Sequence, residues 1–159
     1  MGMCNCSGEQ GGENTHTMLV ESRAEKKHST TFIMQVLDMR SVSSAVNSLE
    51  KYDFSKVPHG FDYNNEDLYK TRVEDPDGAI YIGKMNRRTK MKEGPGRYEH
   101  PAGILYEGWW KDNMRHGHGR QIIVNEEIYE GFWERDCKEG KGRADYADGS
   151  YYTGVWKGG

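Results

Sequence analysis

The residues best placed to do covalent chemistry stand at the start of the chain. With Met1 removed, Gly2 would offer an amine to myristate, and Cys4 and Cys6 would offer thiols to palmitate. One acyl chain holds a protein to a membrane marginally and two hold it firmly, so the three positions together would form an anchor. The acylation pattern wants Ser or Thr at residue six, where this chain has Cys6 and places Ser7 one position late. Two other readings stay open: incidental thiols in a polar tail, and a Cys-x-Cys metal site that lacks further ligands at fixed spacing.

A second cluster is electrostatic. Lys84, Arg87, Arg88, Lys90 and Lys92 put five cations into nine residues, a set that would touch anionic lipid headgroups or an acidic protein surface. The plain alternative is a solvated hairpin tip. His116 and His118 flank Gly117, but no third or fourth ligand is spaced to complete a metal site. The Gly-x-Gly pairs lack the third glycine of a dinucleotide loop and open no helix. Nucleophile-elbow, zinc-protease and kinase signatures do not occur, so the expectation is a chain without catalysis, cofactor or metal.

Composition says what must position these residues. Apolar residues make up 35% of the chain and charged residues 30%, with 20 glycines, 10 tyrosines and 4 tryptophans among 159 residues. That suits a thin architecture in which rings cover Gly-rich backbone, rather than a thick aliphatic core. The net charge of −3 advertises no nucleic-acid partner. Residues 79–159 carry 14 Lys/Arg against 12 Asp/Glu, whereas residues 1–78 carry 8 against 13, so the two halves differ in kind. Three cysteines argue against a disulfide framework and for a reducing compartment. No apolar run reaches the ~20 residues of a membrane span, and no signal-peptide core is visible. The expected location is the cytoplasm, with peripheral attachment to a membrane if the N-terminus is acylated.

Aligning the chain on Tyr-x-Gly exposes a repeat. Tyr81, Tyr106, Tyr129 and Tyr152 each precede Gly83, Gly108, Gly131 or Gly154, and Met85, Trp110, Trp133 or Trp156 follows two residues later. Gly94-Pro95-Gly96, Gly117-His118-Gly119 and Gly140-Lys141-Gly142 complete three units. The later units repeat at 23 residues (Tyr106 to Tyr129, Tyr129 to Tyr152), and the first has two extra residues around Asn86–Glu93. Each unit reads as a hairpin: an alternating strand, a polar loop such as Lys111–Arg115, then a return strand opened by Gly-x-Gly. Asp77-Gly78 and Asp148-Gly149 supply turns between units, Pro101-Ala102-Gly103 is a weaker turn, and Asn125-Glu126-Glu127 departs from the pattern. Regular glycines imply close approach, with a ring from one unit lying flat on bare backbone in the next.

These residues resemble the MORN (membrane occupation and recognition nexus) repeat, Tyr-x-Gly-x-Trp, then His-Gly-x-Gly, then Asp-Gly. Unit two matches best, through Tyr106, Gly108, Trp110, His116, Gly117 and Gly119. Unit one has Met85 for Trp and Glu93 for His, unit three has Glu139 for His, and unit four stops at Gly159 before its second strand. The resemblance implies an all-β repeat array, an antiparallel hairpin meander over 78–159 with three complete units and a truncated fourth. It also implies a scaffold or adaptor that binds a protein partner, such as a helix, in a trough built by Tyr81, Tyr106, Trp110, Tyr129, Trp133, Tyr152 and Trp156. The same likeness brings cilia, flagella and the cell cortex to mind, though no residue points to them. It allows a homodimer through the unpaired C-terminal edge.

Before the repeats, residues 1–28 have the composition of a disordered tail. Over 29–51, Phe32, Val36, Met39, Val42, Val46 and Leu49 recur at three- and four-residue steps, an amphipathic helical stripe. The β-branched content of Thr30–Leu37 also fits a strand. Residues 52–77 read as a linker.

Overall fold

The computed structural model describes residues 51–62 and 65–159. The acylation positions Gly2, Cys4 and Cys6, the tail 1–28 and nearly all of the helical stripe 29–51 lie outside the described residues. Eight strands form one sheet in strict sequence order. They are β1 Leu68–Glu74, β2 Ile80–Asn86, β3 Lys92–His100, β4 Ile104–Lys111, β5 Met114–Ile123, β6 Glu127–Glu134, β7 Cys137–Tyr146 and β8 Tyr151–Trp156. Every neighbouring pair is antiparallel. This is the expected meander, with one addition. β1 lies inside the stretch that composition marks as linker and pairs along its whole length with β2, Thr71 opposite Gly83 and Val73 opposite Tyr81.

Each repeat closes with a hairpin tighter than its polarity suggests. Lys111 pairs with Met114 and Glu134 with Cys137, so Asp112-Asn113 and Arg135-Asp136 alone make the turns, not the whole stretch Lys111–Arg115. All four of these residues have positive φ, between 48° and 69°, the conformation a two-residue turn needs to match strand twist. The first unit accommodates its extra residues here, with Met85 opposite Lys92.

The two glycines of Gly-x-Gly do different jobs. The first, as at Gly117 with φ 69°, sits in a bulge where the register slips between Gly108 and Trp110. The second must lack a side chain. Gly119 lies opposite Gly108 under the Tyr106 ring, and a Cβ added to Gly119 would fall 2.6 Å from ring carbons of Tyr106. Between units, Asn125 takes φ 62° where the other turns use Gly78, Gly103 or Gly149, since the short amide side chain tolerates that region.

Candidate functional site

One face of the sheet carries a continuous aromatic ladder. Trp110 meets the edge of Tyr81 on one side and Tyr106 on the other, at 5.5 and 5.1 Å between ring centroids. Trp133 stands between Tyr106 and Tyr129 at 5.5 and 5.1 Å, and Trp156 between Tyr129 and Tyr152 at 5.2 and 5.0 Å. All six contacts are near-perpendicular, 82–89°, the edge-to-face geometry that the ring quadrupole favours. The expectation of rings lying flat on the next unit is therefore corrected. Each tyrosine covers the glycine pair of its own unit, as Tyr106 covers Gly108 and Gly119. The tryptophan makes the link between units. The indole N–H of Trp110 donates to the Gly96 carbonyl, and that of Trp133 to the Gly119 carbonyl, each at 3.3 Å.

Every tyrosine hydroxyl donates to the carbonyl three residues on: Tyr81 to Lys84 at 2.7 Å, Tyr106 to Trp109 and Tyr129 to Phe132 at 3.0 Å, Tyr152 to Val155 at 3.3 Å. That carbonyl lies at the bulge, where the ladder of backbone bonds is interrupted. The hydroxyl thus satisfies a group the bulge would strand. Burial holds the phenols of Tyr81, Tyr106 and Tyr129 above their ordinary pKa, so they stay neutral donors.

A cation covers each rung. Lys92 lies over Tyr81, Tyr98 and Trp110 at 4.7–5.1 Å, Arg115 lies 4.2 Å over Trp133, and Lys138 lies over Tyr129 and Trp156 at 4.8 and 4.9 Å. Desolvation lowers the pKa of Lys92, against the opposing pull of Asp75, Asp136 and Asp77. The hairpin tip of the next unit pins the backbone of Lys92 and of Arg115. Asn113 accepts from the Lys92 N–H at 2.7 Å, and Asp136 accepts from the Arg115 N–H at 2.8 Å and from its guanidinium at 2.9 Å. Lys92, Arg115 and Lys138 are 23 residues apart, as are Asn113 and Asp136. The Tyr-x-Gly motif passes over both series, and the shared period was the signal available to find them.

The opposite face has its own repeat. Arg97, Glu107, Arg120, Glu130 and Arg143 are successive cross-strand partners, alternating in charge. Glu107 is nearly buried and receives Arg97 at 3.2 Å and Arg120 at 2.7 Å. Across this face runs an irregular strap, residues 52–61. Tyr52 stacks on His118 and bonds its Nδ1 at 2.7 Å, Lys56 reaches His118 Nε2 at 3.2 Å and Glu130 at 3.4 Å, and Phe61 packs edge-on against Trp109 at 4.7 Å. Pro58 and Phe61 fill the hollows over the bulge glycines Gly117 and Gly94, where an added Cβ would come 2.5 and 2.8 Å from them. Nothing in the composition of 52–61 announces this docking, although Tyr52, Phe54, Pro58 and Phe61 are the bulky residues that carry it.

The residues expected to meet a partner fall into two groups. Tyr81, Tyr106, Tyr129, Trp110 and Trp133 are brought together but are at most 7% exposed, so they build the sheet and present little surface. Tyr152 and Trp156, at the end of the ladder, are partly exposed. The five cations do not form one patch. Lys84 points to the Phe61 ring and Lys92 to the ladder, while Arg87 and Lys90 lie over Tyr69 and Arg88 pairs with Asp67 at 3.0 Å. His116 and His118 do not converge. His116 lies 3.9 Å from Glu134, and among the described residues no group of three or more His, Cys, Asp or Glu is placed to hold a metal ion.

A family model, MORN repeat, matches residues 106–125 and 129–151, the units that carry Trp110 and Trp133. The chain carries MORN repeats. A search of curated proteins finds no match to the chain. MORN repeats suggest a membrane- or protein-binding module and are generally non-catalytic. In this MORN array the match omits the first unit, where Met85 replaces the tryptophan and packs against the same cluster. Among the described residues no helix is long and apolar enough to cross a membrane.

The strap makes the array sensitive to acid. Desolvation and the nearby Lys56 lower the His118 pKa below its usual 6.5, outweighing Glu130 and Asp53. A lowered histidine pKa means that the unfolded chain takes up the proton first. The contribution is therefore intact above pH 6.5 and is lost as pH falls from there toward the folded pKa. Acidifying from pH 7.5 to about 5.5 should lower Tm, and His118→Gln should flatten that dependence. Parallel profiles for the two proteins would contradict this assignment.

Proposed function

We propose that the chain is a non-catalytic MORN-repeat scaffold that binds a protein partner along its sheet, at a membrane or a membrane-associated cytoskeleton. The observation that supports this most is a rigid ladder spanning four units with apolar side chains left standing on the opposite face. Ile82, Phe132 and Val155 are 50%, 48% and 68% exposed. Isolated apolar side chains are ordinary on a surface, but on a stiff repeat sheet they form contact points at fixed separations. On the ladder face, a helix would meet the partly exposed Tyr98, Tyr146 and Trp156 rather than the buried rings. Acylation at Gly2, Cys4 and Cys6 would supply the membrane contact. Proximity labelling of the full chain in its native cell tests both parts. Gly2→Ala should release it from the membrane fraction, and changing the exposed Ile82, Phe132 and Val155 together to Ser should remove its protein neighbours. A wild-type chain that is wholly soluble, or neighbours unchanged by that triple variant, would sink the corresponding part.

A second reading, contact with anionic lipid, is favoured by Arg87, Arg88 and Lys90, which stand exposed side by side on the β2–β3 loop. Each contributes about 1 kcal/mol near an anionic surface. Changing the three to Ser should cut binding to phosphoinositide vesicles by about tenfold or more at low salt, and raised salt should weaken the wild type likewise. Equal binding of the two proteins would remove the loop from membrane contact.

A further inference from the structure

The strap shows what the back of this array accepts. It crosses the sheet from Tyr52 beside His118 and Arg120, through Pro58 over Gly117, to Phe61 on Trp109 and over Gly94. One repeat of 23 residues carries Trp109 to Phe132, Gly117 to Gly140 and His118 to Lys141. The strap does not reach that second set. Among the described residues, a Cβ added to Gly140 would find only Phe132, no nearer than 3.6 Å, where Gly117 finds Pro58 at 2.5 Å. Phe132 and Val155 stay exposed. A groove of about 670 Å³ opens there, with Lys56, Lys141, Arg143, Glu130 and Asp145 among its lining residues. Of its lining cations, Lys56 pairs with Glu130, Arg120 with Glu107 and Arg143 with Asp145, while Lys141 stands exposed.

We infer that this groove is a docking site for an extended peptide segment of a partner protein, one that carries an aromatic ring, a proline and an acidic side chain. The strap is the template. The ring packs on Phe132 and Val155 as Phe61 packs on Trp109, and the proline fills the hollow over Gly140 as Pro58 fills that over Gly117. The carboxylate meets the exposed Lys141. A helix is a poorer fit, because the strap fills hollows that lie on successive hairpins, each spanned by irregular chain. The surface is continuous with the one the strap already occupies, since Lys56 of the strap lines the groove. This inference rests on reading the chain as a protein-binding scaffold and names where and what it binds.

A labelled peptide of residues 51–62 of this chain, with its own ring, proline and aspartates, is the probe. Titrated with the full chain, it should bind saturably. The double variant Phe132→Ser, Val155→Ser should bind it at least tenfold more weakly, while Ile82→Ser should not change the affinity. Both altered positions are exposed, so the melting temperature should hold. If the double variant melts several degrees lower, Lys141→Glu carries the test and should weaken binding several-fold. No saturable binding, or binding that the groove variants leave unchanged because the peptide only exchanges with the strap, would overturn the inference. Loss of protein neighbours with the triple Ser variant of Ile82, Phe132 and Val155 but no peptide binding would retain the scaffold and remove only this groove.

Discussion

Gly119→Ala is expected to cost about 3 kcal/mol and to lower Tm by roughly 12–20 °C, while Gly149→Ala costs about 1–2 kcal/mol. Both replace a glycine by one methyl group, so the difference isolates the site. At Gly149 an added Cβ meets nothing within 4 Å among the described residues, and the cost is that of a non-glycine residue at φ 85°. At Gly119 the methyl would lie 2.6 Å from carbons of the Tyr106 ring. The ring cannot retreat. Its hydroxyl is bonded to the Trp109 carbonyl at 3.0 Å, and Trp110 and Trp133 close on it from either side. Overpacking a tight core costs about 1–3 kcal/mol, and loosening the hydroxyl's hydrogen bond adds about 1. Thermal melts of the two variants decide the point. Equal losses would show that Tyr106 does not rest on this glycine.

Trp133→Ala has the other large effect, about 3–5 kcal/mol, the usual cost of emptying a buried tryptophan site. Trp133 is 3% exposed and touches the tyrosines of two units. Its loss also leaves the Gly119 carbonyl without its indole partner and takes away the ring beneath Arg115. In a repeat array the coupling between neighbours is most of the stability, so the damage should spread to both sides. Amide exchange should accelerate across β4 to β7. Trp156→Ala, at the partly exposed end of the ladder, should accelerate exchange mainly in β8. If both substitutions give the same confined pattern, the units are not coupled through their tryptophans.

Much of this fold was legible because one period governs it. Tyr-x-Gly-x-Trp recurs with such regularity that strand, loop and return strand could be placed from four tyrosines and three Gly-x-Gly pairs, although the bulges at the first glycines were not foreseen. The two extra residues of unit one were located in the correct loop for the same reason. What escaped was whatever does not carry the motif. β1 carries no glycine, and its sequence LYKTRVE reads as generic polar chain. The strap 52–61 docks through four bulky residues at irregular steps, a pattern neither helix nor strand periodicity detects. Which glycines a ring covers was also misassigned. Spacing shows that rings and glycines alternate, but not that Tyr106 folds back onto Gly108 while Trp133 reaches the previous unit. The loop cations looked alike in sequence. Only the bulge geometry separates Lys92, which turns onto the ladder, from Arg87, Arg88 and Lys90, which remain outside.

The expected partner-contact residues illustrate the same limit. Aromatic residues repeated in register signal equally a surface for binding and a core for stacking, and composition does not choose between them. Burial does. Tyr81, Tyr106 and Tyr129 are at most 1% exposed, and their hydroxyls are committed to bulge carbonyls. Those residues hold the hairpins together, and the surface is made by the residues around them.

The most direct measurement is a proton NMR experiment on the Trp133 indole. If each tryptophan bridges two hairpins, Trp133 must show cross-peaks to the rings of Tyr106 and Tyr129 together, and the α-protons of Gly108 and Gly119 must be shifted upfield by the Tyr106 ring above them. Cross-peaks to only one tyrosine, with the α-protons of both glycines at ordinary positions, would mean that the hairpins are joined by backbone pairing alone.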